Sequence, residues 1–153
     1  MADTLVDALD ASCVALDMKA KRKPELVAEL VDLLAQAGKI DDADEVIRKV
    51  LEREELTSTG IGGGIAIPHC LSPAASQTHI AFGRKKSGAR FDAVDKRPVQ
   101  LFFLMVGPPG AHNEHLRLLS KLARYLHDSD LKQSLLSAGE ADEIIALFRK
   151  REQ

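Results

Sequence analysis

The sequence predicts one α/β domain, a sandwich in which a mixed sheet of parallel and antiparallel strands is flanked by helices. Short apolar runs typical of strands alternate with longer stretches that carry an apolar stripe at helical spacing. Two of the strand-like runs are joined by a short basic segment, which indicates a hairpin and therefore some antiparallel pairing. The 153 residues fit one domain with a sizeable core, and no linker or repeat divides them, so the domain is expected to span 1–153.

The first third of the chain shows the patterns of one strand and three helical segments. Over residues 14–18, large apolar side chains alternate with small or charged ones, which is the period of a half-buried strand. A stripe with a proline in its first turn and a glycine after its end predicts a helix, and aspartates can cap the helix that follows. The predicted elements are a helical turn at Leu5–Leu9, a strand over residues 14–18, a helix from Pro24 to Gly38 and a helix that starts at Asp41 or Asp42 and buries Val46, Ile47, Val50 and Leu51.

The rest of the chain predicts three strands and three helices. Short apolar runs bounded by turn residues indicate the strands, and apolar stripes after capping residues indicate the helices. The expected elements are strands at Ile65–Ile67, Thr78–Gly83 and Val99–Val106, a solvated basic turn at Arg84–Arg90, a helix from Asn113 to about His127 with the stripe Leu116, Leu119, Leu122, Ala123 and Leu126, and helices at Asp130–Ala138 and Asp142–Arg149.

Composition excludes several classes of protein. With 45% hydrophobic and 29% charged residues the chain is typical of a soluble globular protein. A formal charge of −2 argues against a general nucleic-acid binder, and the longest apolar run, Val99–Val106, is far too short to span a membrane. Cys13 and Cys70 are too few for a disulfide framework, and no signal-peptide pattern is present. We therefore expect a cytoplasmic protein with free thiols and no membrane span.

The stretch from Thr57 to Cys70, TSTGIGGGIAIPHC, is the most informative part of the sequence. Its glycines allow close approach of the backbone to another group and permit positive φ angles. The apolar run that follows predicts a short buried strand, which Pro68 ends. Because proline fixes its own φ and restricts the preceding residue, His69 is held in one direction at a strand end. A glycine run alone is weak evidence, and a tight loop with an incidental histidine is the alternative.

This stretch resembles the type-2 enzyme IIA components of the bacterial phosphotransferase system, the mannitol/fructose and nitrogen-regulatory family. Two positions depart from the family pattern: Gly63 stands where a polar residue such as Asn is frequent, and Cys70 stands where Gly is commoner. The F-D-A-x-D segment at Phe91–Asp95 is similar as well, so the resemblance covers nearly the whole chain and implies the same fold. The matching residues of the signature are Glu55, Ile61, Gly62, Ile65, Ala66, Ile67, Pro68, His69 and Cys70.

The resemblance implies a role for three residues. His69 corresponds to the phosphorylated histidine and is implied to react at Nε2, with a histidine-containing phosphocarrier protein as donor. His115 resembles the second active-site histidine, which orients the acceptor and stabilises charge, and Arg53 resembles the arginine that holds the phosphate. The residues alone suggest less: His115 lies at the start of a helical stripe, and Arg53 lies seven residues after Val46 and could equally be a surface arginine. No cofactor and no metal are expected.

Three alternatives stay open. A metal-dependent hydrolase could use His69, Cys70, His112 and His115, although no HExxH motif is present. A regulatory module could have kept the fold and lost turnover. Within the family, the residues of the motif favour the nitrogen-regulatory branch. The second choice is a fructose or mannitol component that passes phosphate to a IIB component. The expected partners are therefore regulatory target proteins or that IIB component. Outside the proposed site, His79, His112 and His127 are interpreted as structural or surface residues.

Overall fold

The computed structural model describes residues 4–56 and 58–153, so Thr57 and residues 1–3 lie outside the described residues. The order of elements departs from the predicted alternation after residue 56, because five strands follow one another and only helices come after them. In chain order the elements are α1 (Leu5–Ala8), β1 (Leu9–Ala15), α2 (Lys23–Gln36), α3 (Ala43–Leu56), β2 (Gly60–Gly62), β3 (Ile65–Ala66), β4 (His69–Leu71), β5 (His79–Ala89), β6 (Val99–Gly107), a 3-10 turn (Pro109–Ala111), α4 (His112–Tyr125), α5 (Ser129–Ser137) and α6 (Ala141–Arg151).

The strands form one mixed sheet, which confirms the predicted fold class. The order is β1-β5-β6-β3-β2, and β4 also pairs with β6. Strand β6 runs antiparallel to β5 and parallel to both β3 and β4, while β1 runs parallel to β5. Strands β3 and β4 lie end to end along the same edge of β6, because Ala66 is opposite Phe102 and His69 is opposite Met105.

Strand β6 divides the core into two layers. Successive side chains of a strand point to opposite faces, so a continuous apolar run is buried on both sides. Phe102 and Leu104 pack against α2 and α3, whereas Leu101, Phe103 and Met105 pack against the other four helices. The second layer contains an edge-to-face aromatic series in which the Phe103 ring centroid lies 5.0 Å from Phe82 and 5.8 Å from Phe148. The sheet therefore lies between α2 and α3 on one face and α1, α4, α5 and α6 on the other.

Two predictions about the N-terminal third have different outcomes. Asp42 caps α3, because its Oδ1 accepts a hydrogen bond from the backbone N–H of Glu45 at 3.1 Å. The strand predicted over residues 14–18 is wrong in its bounds, since β1 runs over Leu9–Ala15. A capping box at Thr4 begins the short helix α1, and the chain enters the sheet directly after it, at Leu9. Of the predicted segment, only Val14 and Ala15 belong to the strand, and residues 16–18 belong to the connection that follows it.

The prediction of a solvated basic turn at Arg84–Arg90 is also wrong. Strand β5 continues to Ala89, and Arg84 is only 4% exposed. Its guanidinium donates hydrogen bonds to the carbonyl oxygens of Leu16 at 3.0 Å, Leu135 at 3.0 Å and Ala138 at 2.6 Å. Two of these carbonyls belong to the C-terminal end of α5, where carbonyl groups lack helical partners and favour a cation. Arg84 is therefore a structural residue that fixes α5 to the sheet.

Helix α4 differs from its prediction in two respects. It begins at His112, directly after the 3-10 turn, so Asn113 lies inside the helix and no side chain caps it. The buried face carries His115, Leu118 and Leu122, whereas Leu116, which the predicted stripe included, is 49% exposed. Spacings of three and four fit both stripes, and only the position of the sheet selects between them. Among the described residues, no helix is both long enough and apolar enough to cross a membrane.

Candidate active site

A glycine hairpin directly precedes the segment that carries His69. Strands β2 and β3 pair in antiparallel fashion, and Gly62, Gly63 and Gly64 make the turn with φ angles of 93°, 66° and 82°. Residues with a Cβ rarely adopt this left-handed region, so the turn requires the glycines that the sequence supplies. The carboxylate of Asp95 accepts a hydrogen bond from the N–H of Gly63 at 3.0 Å and so supports the turn from outside.

His69 is the first residue of a separate strand. The sequence predicted that it follows the end of a strand, and the structure adds β4, which continues along β6 after Pro68. The carbonyl oxygen of Pro68 accepts a hydrogen bond from the N–H of Met105 at 3.0 Å. Because backbone pairs to β6 lie on both sides of the proline, the position of the His69 backbone is fixed by the sheet.

The ring of His69 is held in one tautomer. Its Nδ1 lies 2.7 Å from the carbonyl oxygen of Ile67. A carbonyl oxygen only accepts hydrogen bonds, so Nδ1 must carry the proton and Nε2 keeps its lone pair. Burial lowers the pKa of His69 below its ordinary value, and the nearby Arg53 adds to the decrease against the opposing effects of the Ile67 hydrogen bond and Glu54. A neutral ring with a nucleophilic Nε2 is therefore the dominant form at neutral pH.

His115 lies beside this ring. The ring centroids of His69 and His115 are 5.4 Å apart and the rings are inclined at 55°. His115 is 4% exposed, and among the described residues neither of its ring nitrogens has a hydrogen-bond partner. It belongs to the first turn of α4, where unpaired backbone N–H groups and the helix dipole favour an anion. A buried polar ring without a partner beside a nucleophile indicates a ligand group that completes its hydrogen bonds.

The last residue of β6, Gly107, lies close to the ring of His115 and to the side chain of Thr78. A Cβ at Gly107 would lie 2.9 Å from Oγ1 of Thr78 and 3.6 Å from Nδ1 of His115. A contact below 3.0 Å forces a neighbour to move, so only glycine leaves the Thr78 hydroxyl in place, whereas 3.6 Å from the imidazole is an ordinary contact. The hydroxyl of Thr78 is itself buried without a partner in the described part of the chain.

The three predicted site residues meet at one cavity of about 370 Å³. Arg53 reaches it from the last turn of α3, His69 from β4 and His115 from α4. The cavity also contains Lys49, Glu52 and His112, titratable groups that the proposed site did not include. His112 was interpreted as a surface residue, and it is exposed at the rim. The lining residues are Lys49, Glu52, Arg53, His69, Cys70, Leu71, His112, His115, Leu116 and Leu119.

The buried acidic residue before the hairpin is Glu54. The resemblance was based on Glu55, which is exposed, whereas Glu54 is 6% exposed and its carboxylate accepts hydrogen bonds from Thr59. The spacing along the helix indicates that Glu54 is buried, because Val46, Val50 and Glu54 follow one another at intervals of four residues along the same face.

The zinc-hydrolase alternative needs at least three protein ligands around one metal ion. Across residues 4–56 and 58–153, no three side chains of His, Cys, Asp or Glu are grouped so that they could hold a metal ion.

Cys70 is expected to be dispensable for the chemistry of this site. It lines the cavity beside His69, but burial raises the pKa of its thiol to about 12, so the thiolate is essentially absent at neutral pH. Cys70→Ala should react with a phosphoryl donor at nearly the parental rate, as single-turnover kinetics can measure. A complete loss of reaction in a folded Cys70→Ala variant would assign the nucleophile to sulfur.

His115 should make stability depend on pH. Burial lowers the pKa of His115 to about 4, and the neighbouring His69 and His112 contribute to the decrease. Between about pH 6.5 and the folded-state pKa, the unfolded chain binds a proton that the folded chain does not, so the stability present at neutral pH declines as pH falls. Each such group contributes a slope of about 1.4 kcal/mol per pH unit. Urea unfolding should show a smaller loss between pH 7 and pH 5 for His115→Leu than for the parent, and equal losses would contradict this burial.

Comparison with known proteins agrees with this architecture. The family model described as phosphoenolpyruvate-dependent sugar phosphotransferase system, EIIA 2, matches residues 7–151. The chain is 38% identical over 125 residues to the fructose-specific EIIA component of Haloferax volcanii, covering 82% of this chain and 81% of that one. It is 34% identical over 149 residues to the fructose-specific EIIABC component of Bacillus subtilis, covering 97% of this chain and only 24% of that longer protein.

Solved structures give the same assignment. The nitrogen regulatory protein IIA-Ntr of Neisseria meningitidis superposes with a TM-score of 0.88 at 35% identity, covering 94% of this chain and 98% of that one. Enzyme IIAMTL of Escherichia coli, in its complex with phosphorylated enzyme IIBMTL, superposes with a TM-score of 0.78 at 25% identity, covering 93% and 97%. The mixed sheet and the match over nearly all of the chain lead to one conclusion: this protein belongs to the type-2 EIIA family of the phosphoenolpyruvate-dependent sugar phosphotransferase system.

Proposed function

We propose that the protein is a phosphocarrier in which Nε2 of His69 accepts a phosphoryl group from the phosphohistidine of a carrier protein. The observation that supports this most directly is the 2.7 Å contact between His69 Nδ1 and the Ile67 carbonyl oxygen, which leaves Nε2 as the nitrogen with a lone pair. The same nitrogen is the one that the family resemblance implies.

The transfer is a displacement at phosphorus. The Nε2 lone pair forms the new N–P bond while the N–P bond of the donor breaks, and its electron pair returns to the donor imidazole. The ring of His69 keeps its proton on Nδ1 and gains positive charge as the new bond forms. The hydrogen bond to the Ile67 carbonyl oxygen then becomes charge-assisted, so it is stronger in the product and in the transition state than in the free protein.

The remaining groups act on the phosphoryl oxygens. Phosphoryl transfer depends mainly on positioning and on positive potential around the three equatorial oxygens. Arg53 supplies a permanent cation at the cavity, and the first turn of α4 supplies the positive end of a helix dipole. His115 is neutral at physiological pH because burial lowers its pKa to about 4, so it acts by donating a hydrogen bond from one ring nitrogen.

The direct test uses a purified phosphocarrier protein in its phosphohistidine form. Mixing it with this protein should add one phosphoryl group, which mass spectrometry under alkaline conditions detects because phosphohistidine survives there. Peptide mapping should place the group on the peptide that contains His69. The proposal would be refuted if none of the phosphocarriers tested transferred a phosphoryl group, or if the group mapped to another residue.

We place the protein in the nitrogen-regulatory branch, with regulatory proteins as its targets. The structural similarity to the Neisseria meningitidis IIA-Ntr protein over 94% of the chain supports this branch. The sequence similarity to the Haloferax volcanii fructose-specific EIIA component supports the second candidate, a sugar-specific component that passes phosphate to a IIB component. Offering the phosphorylated protein to a fructose-specific IIB domain decides between them. Fast, complete transfer would assign the sugar-specific role, and transfer no faster than hydrolysis would favour regulation.

A further inference from the structure

We propose that Glu54 is a positioning residue for His69, acting through Thr59 and Ile67 to hold the imidazole in its reactive tautomer. This inference rests on the proposed function, because it concerns the ring that accepts the phosphoryl group. It adds a residue that neither touches the phosphoryl group nor lines the cavity.

The first step is the contact between Glu54 and Thr59. Both carboxylate oxygens accept from the backbone N–H of Thr59, at 3.1 and 2.9 Å, and from its hydroxyl, at 2.8 and 3.0 Å. Lys23 provides a more distant ion pair at 3.9 Å. A buried carboxylate is costly unless such partners surround it, and it binds them strongly where they do. Glu54 therefore fixes both the main chain and the side chain of Thr59.

The second step leads from Thr59 to the nucleophile. The carbonyl oxygen of Thr59 accepts a hydrogen bond from the N–H of Ile67 at 3.0 Å. The carbonyl oxygen of Ile67 in turn faces Nδ1 of His69 at 2.7 Å. This pairing of Thr59 with Ile67 continues the hairpin one residue beyond Gly60 and Ala66, which are register partners. The orientation of the Ile67 carbonyl group thus depends on a strand that Glu54 holds in place.

The position of Glu54 in α3 gives this contact a second effect. Arg53, the adjacent residue, reaches the cavity, while Glu54 is buried and bonded to the hairpin side. The same helix end therefore carries the cation for the phosphoryl group and the anchor for the segment that orients the acceptor nitrogen. A shift of Glu54 would change the distance between Arg53 and His69, and a misplacement of 1 Å can cost about a hundredfold in rate.

The charge of Glu54, rather than its hydrogen bonds, is the competing explanation for an effect on His69. Its negative charge acts on His69 through space and raises the pKa of that ring, although burial has the larger, opposite effect. Two substitutions separate position from charge. Glu54→Gln removes the charge and leaves a side chain of similar size that can accept only through its carbonyl oxygen, whereas Thr59→Val removes the hydroxyl donor and keeps the carboxylate.

The primary measurement is the tautomer of His69, read from the nitrogen-15 chemical shifts of its ring. The parent should show the Nδ1–H tautomer alone, and both variants should show a mixture with the Nε2–H form. A residue that only stabilised the fold would not change this ratio. In single-turnover assays the phosphorylation rate at saturating donor should fall by a factor between about ten and a hundred, with the half-saturating donor concentration unchanged.

Glu55→Gln is the matched control, because Glu55 is the exposed neighbour of the same type and should match the parent in both measurements. Urea unfolding checks that each variant is folded, and Thr59→Val, the milder change, keeps the test usable if Glu54→Gln is unfolded. Parental tautomers in both folded variants would overturn the proposal, and a rate loss confined to Glu54→Gln would assign the effect to charge. If the parent itself accepts no phosphoryl group, the proposed function fails, while the tautomer ratios still decide whether Glu54 orients the ring.

Discussion

His69→Ala should remain folded and take up no phosphoryl group from a phosphohistidine donor. The strand that carries His69 is held by backbone pairing to β6, which the substitution leaves unchanged. The variant loses one hydrogen bond, that of Nδ1 to the Ile67 carbonyl oxygen, which costs about 1 kcal/mol of stability. The reaction loses its nucleophile, so the phosphoryl adduct should fall below detection in mass spectrometry under alkaline conditions.

A suitable control for His69→Ala is His79→Ala, which removes an imidazole from β5 and leaves the cavity unchanged. His79→Ala should be phosphorylated at the parental rate. Persistent phosphorylation of folded His69→Ala would move the nucleophile to another residue.

His115→Ala should still be phosphorylated on His69, but more slowly by about a hundredfold or more. The substitution removes a preorganised hydrogen-bond donor from the place where charge develops, and losing one such donor elsewhere costs a factor of this size. Interfaces between proteins are much larger than one side chain, and this ring is only 4% exposed, so the half-saturating donor concentration should change little. Single-turnover kinetics at several donor concentrations separates the two quantities.

The control for His115 is His127→Ala, an exposed histidine beyond the far end of the same helix. His112 is a poorer control than the sequence suggested, because it lines the same cavity and its charge acts on His115. Equal rates for the parent and His115→Ala would mean that His115 is only a packing residue of α4. A site with two histidines would then have to be abandoned.

The placement of the candidate site residues at one cavity was more predictable from sequence than the contacts that support them. Pro68 and His69 could be interpreted locally, because proline and glycine restrict the backbone in ways that do not depend on distant contacts. Arg84 could not, since its basic neighbours indicate a surface turn and only the C-terminal end of α5 shows why it is buried. Strand β4 was missed for a similar reason: three residues carry no periodic signal, and pairing with β6 alone makes them a strand.

Glu54 shows the same limit within the site. Its spacing from Val46 and Val50 marks a buried position, but a buried carboxylate is uncommon and nothing near it in sequence identifies a partner as strong as Thr59. The folded hairpin brings the two residues together.

The pairing register of strand β6 determines which amino-acid substitutions this protein can tolerate. Strands β3 and β4 pair with it one after the other, and its last residue, Gly107, faces His115. A slip of one residue would exchange Phe102 and Phe103 between the two core layers, so a register that places His69 wrongly also disrupts the core. The backbone of the strand wall, β4, is consequently either in place or lost together with the fold. Substitutions that leave this backbone in place and change the shape or charge of the cavity are available on the helical wall, where α3 and α4 present exposed and half-exposed side chains.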